Sequence, residues 1–273
     1  MLVLVAAGYL IYHSFRNVTS PPPAPGCQAG TGDQAIDLDP EQAEVAATIA
    51  GVAARHRLPR QAVTVALAAA LQESKLHNLD YGDRDSVGIF QQRPSEGWGS
   101  ATQLQDPVYA TTKFYAALTQ VPGYAKLPVY QAAQAVQHSA DGSAYEQWTV
   151  VAGQLTSSFT GKSPHTVSCW YTPSGQANLA GVKKQVRETF GPAGRKAVVV
   201  RITTARSAKK NVAVLQVKPA AGWTVASWLV ANAQQYGLRQ VRYAGYVWTA
   251  ASGSGGWHRA PSQQPVSESI VAG

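Results

Sequence analysis

The alternation of apolar and polar positions predicts a helical first half of the chain, from about residue 36 to 160. Asp39 followed by Pro40 is typical of a helix start, because aspartate caps the first turn and proline is tolerated at the first helical position. A second helix is expected from Pro59, and nine of the ten residues 62–71 are apolar, which predicts a central buried helix. Further helices are expected after Asp106-Pro107, after Pro128 and through 144–155.

The last third of the chain has a different pattern. KAVVVRIT and AVLQV favour strands, TVASWLVANAQQYG favours an amphipathic helix that ends at a glycine, and RQVRYAGYVWT alternates like a strand. The predicted fold class is therefore α+β, with an all-α domain at 36–171 and a small domain at 196–260 that is α/β or α+β. Turn-forming residues at 172–195 predict a linker, with room for a short helix through Val182 to Phe190. The polar end, 261–273, predicts a disordered tail.

The N-terminal residues predict export. The apolar stretch from Leu2 to Tyr12 has the length of a signal-peptide core and is short for a membrane span. Residues 1–16 are therefore expected to be a signal segment, or a membrane anchor whose beginning is missing; a buried helix is the alternative. The Pro-rich segment 17–35 predicts an extended stalk. The expected location is extracellular or in the cell wall, with the chain anchored at the membrane through its N-terminal segment.

The two cysteines, Cys27 and Cys169, predict a disulfide, because they are even in number in a chain that looks exported. A lipoprotein interpretation of APGC is weaker, since Cys27 lies far from the apolar stretch and Cys169 would be left over. The six histidines are scattered, and neither an HxxxH nor a CxxC pattern is present. We therefore expect no metal site and no cofactor.

Charge points to an anionic partner. Lysine and arginine outnumber aspartate and glutamate by 23 to 15, a formal charge of +8 that suits nucleic acid, acidic lipid or the acidic polymers of a bacterial wall. The densest basic runs are KK at 183–184 and ARSAKK at 205–210, which is sparse for a nucleic-acid site. Anionic wall polymers remain candidate partners, and nucleic acid is not expected.

Glu73 gives the clearest chemical signal, at the end of the apolar helix in LAAALQESKLHNLDYGDRDSVGIFQQRPSEGWG. Partial burial beside a cleft favours a protonated carboxyl group, which cleavage of a glycosidic bond requires. The loop that follows has backbone freedom at Gly82 and Gly88, and the amides of Gln91 and Gln92 suit sugar hydroxyl and N-acetyl groups. Three aromatic residues are candidates for stacking on sugar rings: Tyr81, Phe90 and Trp98. The alternative is a surface charge at a helix end followed by a polar loop.

This stretch resembles the active-site region of the lysozyme-like lytic transglycosylases of bacterial walls. The resemblance rests on Glu73 with Ser74 at a helix end, and then on the run from Gly88 through Ile89 and Phe90 to Gln91, followed by a proline. It is strongest to secreted actinobacterial members and covers residues 40–160. It implies a lysozyme-like fold, Glu73 as the sole catalytic acid and base, Ser74 orienting it, and Gln91 contacting the N-acetyl sugar.

One position departs from that family pattern. Many members have an Ala-Tyr-Asn-x-Gly segment whose tyrosine faces the glutamate, whereas Val136 stands at that place in AVQHS. Gln137 is the candidate replacement for the asparagine, and whether Tyr145 supplies the missing hydroxyl or only packs stays open. The candidate substrate-binding residues are Ser74, Gly88, Ile89, Phe90, Gln91, Gln92, Gln137 and Tyr145.

The sequence as a whole predicts a peptidoglycan lytic enzyme that cleaves the β-1,4 bond between MurNAc and GlcNAc, as a lytic transglycosylase or a muramidase. The alternative is a wall-binding or assembly factor of an export or conjugation system with little or no turnover, which the missing tyrosine favours. Glycan strands of peptidoglycan are the expected partner in both cases. The second unit resembles a small domain that follows many actinobacterial cell-wall proteins, and the predicted linker implies that cleavage does not need it.

Overall fold

A computed structural model describes residues 24–138, 142–207, 210–261 and 269–273. Over these residues the protein is a mixed α+β structure, with a helical N-terminal region followed by an antiparallel sheet with short helices. The fold class is therefore as predicted. The predicted anchor, 1–16, and the first part of the predicted stalk lie outside the described residues. Within the described ranges, no helix is both long and apolar enough to cross a bilayer.

The N-terminal region has helices where the sequence pattern predicts them. They are α1 (Pro40–His56), α2 (Arg60–Ser74), α3 (Ala101–Leu104), α4 (Pro107–Leu118), α5 (Val129–Gln137) and α6 (Thr149–Phe159). Asp39 caps α1 by accepting a hydrogen bond from the Gln42 amide, and Asp106 caps α4 by accepting one from the Val108 amide. A 3-10 helix, Gly142–Trp148, leads into α6.

Helix α1 lies at the centre of the whole molecule. Its residues from Ala43 to Ala53 are buried with the exception of Glu44, which is half-buried. On one side the hydroxyl of Tyr115 in α4 donates to the carbonyl of Ile49 over 3.0 Å. On another side Gly51 allows close approach, since a Cβ there would lie 2.5 Å from Cγ2 of Thr189. The sequence predicted α2 as the central helix, and α2 is equally buried, but α1 is the helix that both parts of the chain cover.

A small sheet ties the start of the described chain to the end of the helical region. Strand β1 (Gly26–Ala29) pairs antiparallel with β2 (Ile36–Leu38) and with β3 (Val167–Trp170). The stalk predicted for 17–35 is therefore wrong from residue 26 onward, and the first domain is not all-α. Pairing with β3, far along the chain, creates β1, and a Pro-rich local pattern does not reveal that partner.

The predicted disulfide is confirmed. Cys27 and Cys169 face each other across the β1 and β3 pair and are bonded. Both are buried, and no described cysteine is free. A structural disulfide of this kind indicates an extracellular or otherwise oxidising compartment.

The predicted linker contains a packed helix. Helix α7 (Leu179–Phe190) begins at Asn178, whose side chain accepts a hydrogen bond from the Gly181 amide. Val182, Val186 and Phe190 are buried, and the guanidinium of Arg55 in α1 donates to the carbonyl of Glu188 over 3.0 Å. Residues 172–195 therefore join the two parts of the chain by packing on α1 and do not act as a spacer.

The C-terminal part is built on an antiparallel sheet. Its strands are β4 (Val199–Ser207), β5 (Lys210–Val217), β6 (Gln240–Tyr243), β7 (Tyr246–Thr249), β8 (His258–Arg259) and β9 (Ser269–Ala272). The helices α8 (Gly222–Ala231) and α9 (Ala233–Tyr236) stand between β5 and β6. The strand order is β4-β5-β9-β6-β7-β8, and every described pair is antiparallel. Of the two arrangements predicted for 196–260, α/β or α+β, the structure has the α+β one, with an antiparallel sheet.

The prediction of a disordered tail at 261–273 is wrong for residues 269–273. Strand β9 lies between β5 and β6, with Ile270 and Ala272 fully buried. Residues 262–268 lie outside the described part. A four-residue strand has too few positions to show a clear alternation, and the two neighbouring strand edges provide its hydrogen-bonding partners.

The two parts of the chain share one hydrophobic core. Helix α8 packs on α1, and Trp228 in α8 is fully buried. The indole of Trp248 donates to the carbonyl of Cys169 over 3.0 Å, and that of Trp257 donates to the carbonyl of Val167 over 2.8 Å. The hydroxyl of Tyr171 donates to the carbonyl of Ala233 over 2.8 Å. The boundary drawn at 171 from sequence therefore cuts through a packed interior.

Replacing both cysteines, with Cys27→Ser and Cys169→Ser, should lower the free energy of unfolding by about 4 to 5 kcal/mol. The reason is that the bond joins positions 142 residues apart and so restricts the unfolded chain. Urea unfolding of wild type and variant, with and without reductant, measures the difference. Reductant should lower the free energy of unfolding of wild type to that of the variant. Reactive thiols in denatured, unreduced wild type would contradict the disulfide.

A chain that ends after Tyr171 should fail to fold cooperatively. The truncation removes α7 and α8, and so uncovers the face of α1 around Gly51 that they bury. Near-ultraviolet circular dichroism and thermal unfolding, with the full chain in parallel, test this. A truncated chain with a sharp thermal transition would instead support the independent first domain predicted from the sequence.

Candidate active site

Glu73 lies in the last turn of α2, where the helix stops abruptly. Lys75 and Leu76 have left-handed backbone conformations, with φ of 56° and 65°, so the chain turns away directly after Ser74. The preceding turns, Leu67 through Ala70, are fully buried, whereas Glu73 is half-buried. The carboxyl group therefore stands where a core helix reaches the surface, as the sequence predicted.

Tyr145 supplies a hydroxyl to this carboxylate. Its phenol donates a hydrogen bond to Oε1 of Glu73 over 2.6 Å, and the ring is almost completely buried. Tyr145 belongs to the 3-10 helix Gly142–Trp148, and the three residues before that helix lie outside the described ones. Val136 is a buried residue of α5. The sequence left open whether Tyr145 supplies a hydroxyl to Glu73 or only packs, and the structure shows that it supplies one.

The same 3-10 helix is held on α2 at a second point. Oε1 of Gln72 accepts hydrogen bonds from the indole of Trp148 over 2.8 Å and from the side chain of Gln147 over 3.2 Å. The ammonium of Lys75 lies 4.3 Å from the ring centre of Trp148, a cation–π contact. These contacts fix the segment that carries Tyr145. Sequence reasoning missed them, because no local signal links residues more than 70 positions apart.

Ser74 fixes the neighbouring loop. Its buried hydroxyl lies 2.9 Å from the carbonyl of Ile89 and 3.1 Å from that of Ala70. The prediction that Ser74 orients Glu73 or binds substrate is therefore not supported by its bonds. Its role is to hold the loop against the end of α2.

Glycines allow the loop of residues 79–92 to fold tightly. Gly88 has a φ of +80°, and a Cβ there would lie 2.4 Å from the carbonyl oxygen of Leu104. A Cβ at Gly82 would lie 1.9 Å from Oε1 of Gln91. Val87 and Gln92 close the loop by exchanging two backbone hydrogen bonds of 3.1 Å. Both predicted glycine positions are thus sites of close approach.

Gln91 and Gln137 use their amide nitrogens to fix the loop. Nε2 of Gln91 donates to the carbonyls of Tyr81 and Gly88, each over 3.2 Å. Nε2 of Gln137, at the end of α5, donates to the carbonyl of Phe90 over 2.9 Å. Both side chains are half-buried. The structure therefore brings these two predicted residues together around the segment 88–91.

Three predicted substrate contacts are core residues. Ile89 and Phe90 are fully buried, and the ring of Phe90 stacks on that of Phe114 with 4.5 Å between centroids. Gln92 is 3% exposed, and neither polar atom of its amide has a partner among the described residues. The prediction that these side chains contact a sugar is therefore wrong, because they present almost no surface. Packing against α4 draws Phe90 inward, and sequence gives no sign of that partner.

Asp83 and Asp85 shape the loop. The guanidinium of Arg93 pairs with the carboxylate of Asp83 over 2.8 Å. The carboxylate of Asp85 accepts hydrogen bonds from the backbone N–H of Ser95 over 2.8 Å and from the Ser95 hydroxyl over 2.9 Å. The hydrogen bond from the backbone N–H is the main reason that the pKa of Asp85 lies below its ordinary value. Both carboxylates therefore stabilise the turns of the loop.

The start of α1 holds the turn that follows Glu73. Glu41 accepts from the backbone amide of Asn78 over 2.9 Å and pairs with the ring of His77 at 3.0 Å. Partial burial opposes ionisation, but these two bonds leave the pKa of Glu41 below its ordinary value. The side chain of Gln42 adds a bond of 2.9 Å to the carbonyl of Lys75. His77 is thus a structural residue.

No three histidine, cysteine, aspartate or glutamate side chains of the described residues come together as a metal site would need. Tyr81 is 69% exposed and stands at the loop surface, while Trp98 is half-buried. The arrangement is one carboxylate at the end of a buried helix, bonded by one buried phenol and bordered by a loop of fixed backbone. In comparisons with known proteins, no family model matches the sequence, and no curated protein matches it.

Proposed function

We propose that this protein is a peptidoglycan lytic enzyme that cleaves the β-1,4 bond between MurNAc and GlcNAc, with Glu73 as its only catalytic carboxyl group. The observation that carries the proposal is the 2.6 Å hydrogen bond from the Tyr145 hydroxyl to Glu73 at the end of a buried helix. It gives the carboxyl group a defined position beside the loop that resembles the substrate-binding loop of lysozyme-like transglycosylases.

The proposed chemistry follows from which carboxyl oxygen of Glu73 accepts a hydrogen bond. Tyr145 bonds Oε1 of Glu73, and no described residue bonds Oε2. Oε2 is therefore the atom that would hand a proton to the glycosidic oxygen as the sugar acquires oxocarbenium character. In the second step the carboxylate would take a proton from the 6-hydroxyl of the MurNAc residue, which gives a 1,6-anhydro product, or from water, which gives hydrolysis.

The groups around the loop suit the polar edges of an amino sugar. The Nε2 atoms of Gln91 and Gln137 donate hydrogen bonds to the loop backbone. Their side-chain carbonyl oxygens can therefore accept from an N-acetyl N–H group or a hydroxyl of the sugar. The exposed ring of Tyr81 offers a face for stacking on a sugar ring. The proposed substrate is therefore a glycan strand that lies across the segment 88–91.

The alternative is a wall-binding or assembly factor with weak or no turnover. Its main support was the absence of a tyrosine at position 136, and the hydroxyl of Tyr145 removes that reason to prefer it. An extracellular or otherwise oxidising compartment, indicated by the disulfide, suits both functions. Anchoring through residues 1–16 remains part of the proposal and lies outside the described residues.

Glu73→Gln should reduce cleavage of purified peptidoglycan by at least ~100-fold, because it keeps the shape of the side chain and removes the transferable proton. Glu146→Gln is the matched control, since Glu146 is an exposed neighbour of Tyr145, and it should keep wild-type activity. Mass spectrometry of the products measures both rate and route, because the anhydro product is lighter than the hydrolysis product by one water. Inactive wild type would favour the wall-binding alternative, and an active Glu73→Gln would remove Glu73 from the mechanism.

Tyr145→Phe should lower kcat by about 10-fold or more and leave KM nearly unchanged, because it removes the hydrogen bond that positions the Glu73 carboxyl group and keeps the packed ring. Tyr130→Phe is the control, as its hydroxyl bonds the exposed side chain of Gln131. Steady-state kinetics on soluble glycan fragments, with thermal unfolding of each variant, provide the test. A fall in thermal stability without a change in kcat would show that Tyr145 only packs.

A further inference from the structure

A second concave site lies at the other end of α2 from Glu73. It is a cleft of about 600 Å³. The last turns of α1 and the first turn of α2 line one side of it, and the chain segments around residues 191–198 and 218–221 line the other. Five of its lining residues are cationic, and no aspartate or glutamate is among the described lining residues. The cations are Arg55, Arg57, Arg60, Lys196 and Lys218.

Backbone carbonyls hold three of these cations, Arg55, Arg57 and Lys218, without neutralising them. The guanidinium of Arg57 and the ammonium of Lys218 both donate to the carbonyl oxygen of Lys196, over 3.0 and 3.1 Å. Two positive groups therefore lie within about 6 Å of each other. None of the five cations pairs with a carboxylate of the described residues. Like charges held this close repel, and an anion between them would relieve the repulsion.

Two further features of the cleft favour an anion with an apolar part. The lining includes four half-buried apolar residues that a ligand can reach: Ala54, Leu58, Ala197 and Val198. Helix α2 begins here without a side-chain cap, so its first amides add partial positive charge. A ligand that combines negative charge with methylene groups would satisfy both the cations and the apolar lining.

The planar fork of arginine matches the oxygens of both carboxylate and phosphate. Phosphate fits this cleft better, because its oxygens are tetrahedral and accept from cations on several sides, and the cations here come from three separate segments of the chain. A flat bilayer surface reaches poorly into a concave site, whereas a single flexible chain can enter it. Phe190, the one aromatic residue of the described lining, is 1% exposed, so nucleic-acid bases would find no surface for stacking.

We propose that this cleft binds a phosphodiester segment of a flexible anionic polymer of the polyol phosphate type. The proposal does not depend on catalysis at Glu73. Arg60 begins α2 and Glu73 stands near its end, so the two sites are about 20 Å apart along one helix axis. A wall polymer bound in the cleft would therefore lie at a fixed distance from Glu73, the proposed catalytic residue.

Titration calorimetry of the full chain with poly(glycerol phosphate) tests the proposal. The double variant Arg57→Gln with Lys218→Gln should bind at least 10-fold more weakly than wild type. The control is Lys113→Gln with Lys126→Gln, which removes the same charge from exposed lysines outside the cleft and should change affinity by no more than about 2-fold. Thermal unfolding checks that each variant folds. If the cleft double variant does not fold, Arg60→Gln replaces it, and the same direction of change is expected.

Several results would overturn the proposal. Equal losses in the cleft variant and in the control would mean diffuse attraction without a site, and unchanged binding by folded Arg60→Gln would exclude the cleft. Binding to phosphatidylglycerol vesicles without binding to the soluble polymer would assign the cations to a membrane surface. Equally tight binding of a thymidine oligonucleotide at the same salt concentration would show that any polyanion suffices. No binding of the polymer by wild type would also reject it.

Discussion

Helix α1 is buried from Ala43 to Ala53 apart from Glu44, and the other elements are arranged to cover it. A helix that is apolar over so much of its surface is stable only when that surface is covered, so α1 depends on partners from both parts of the chain. Helices α2, α4 and α6 cover it from the N-terminal region, and α7 and α8 cover it from the C-terminal part. Small residues such as Gly51 make that close cover feasible. The two parts are consequently one structural unit.

Burial of α2 beside α1 then sets the positions of the two proposed sites. A rigid helix whose middle is inaccessible can present chemistry only at its ends. Its last turn carries Glu73, which the phenol of Tyr145 and the loop anchored by Ser74 surround. Its first turn carries Arg60 in the cation-lined cleft. The rigidity that protects the core also fixes the separation and orientation of the two sites, which no flexible connection between domains could do.

Sequence predicted those features whose cause is local. The caps at Asp39 and Asp106 and the apolar run of α2 are decided by residues within a turn or two, and the disulfide by the presence of only two cysteines. Strand β1, strand β9 and the inward position of Phe90 depend on partners far along the chain, so a local pattern could not reveal them. At the candidate site, the motif singled out Glu73 as a candidate, whereas the bond from Tyr145 required the fold of the intervening residues.

The place of β9 between β5 and β6 has a consequence for biosynthesis. Residues 269–272 are synthesised after the hairpins β4–β5 and β6–β7, and until then each hairpin has an open edge where β9 will lie. Open edges are templates for incorrect pairing, so this interval is when the nascent chain is most exposed to aggregation. The disulfide partners emerge earlier and can be joined while the sheet is still divided. Closure of the sheet is therefore a late step of maturation, and a chaperone that shields strand edges would act in that interval.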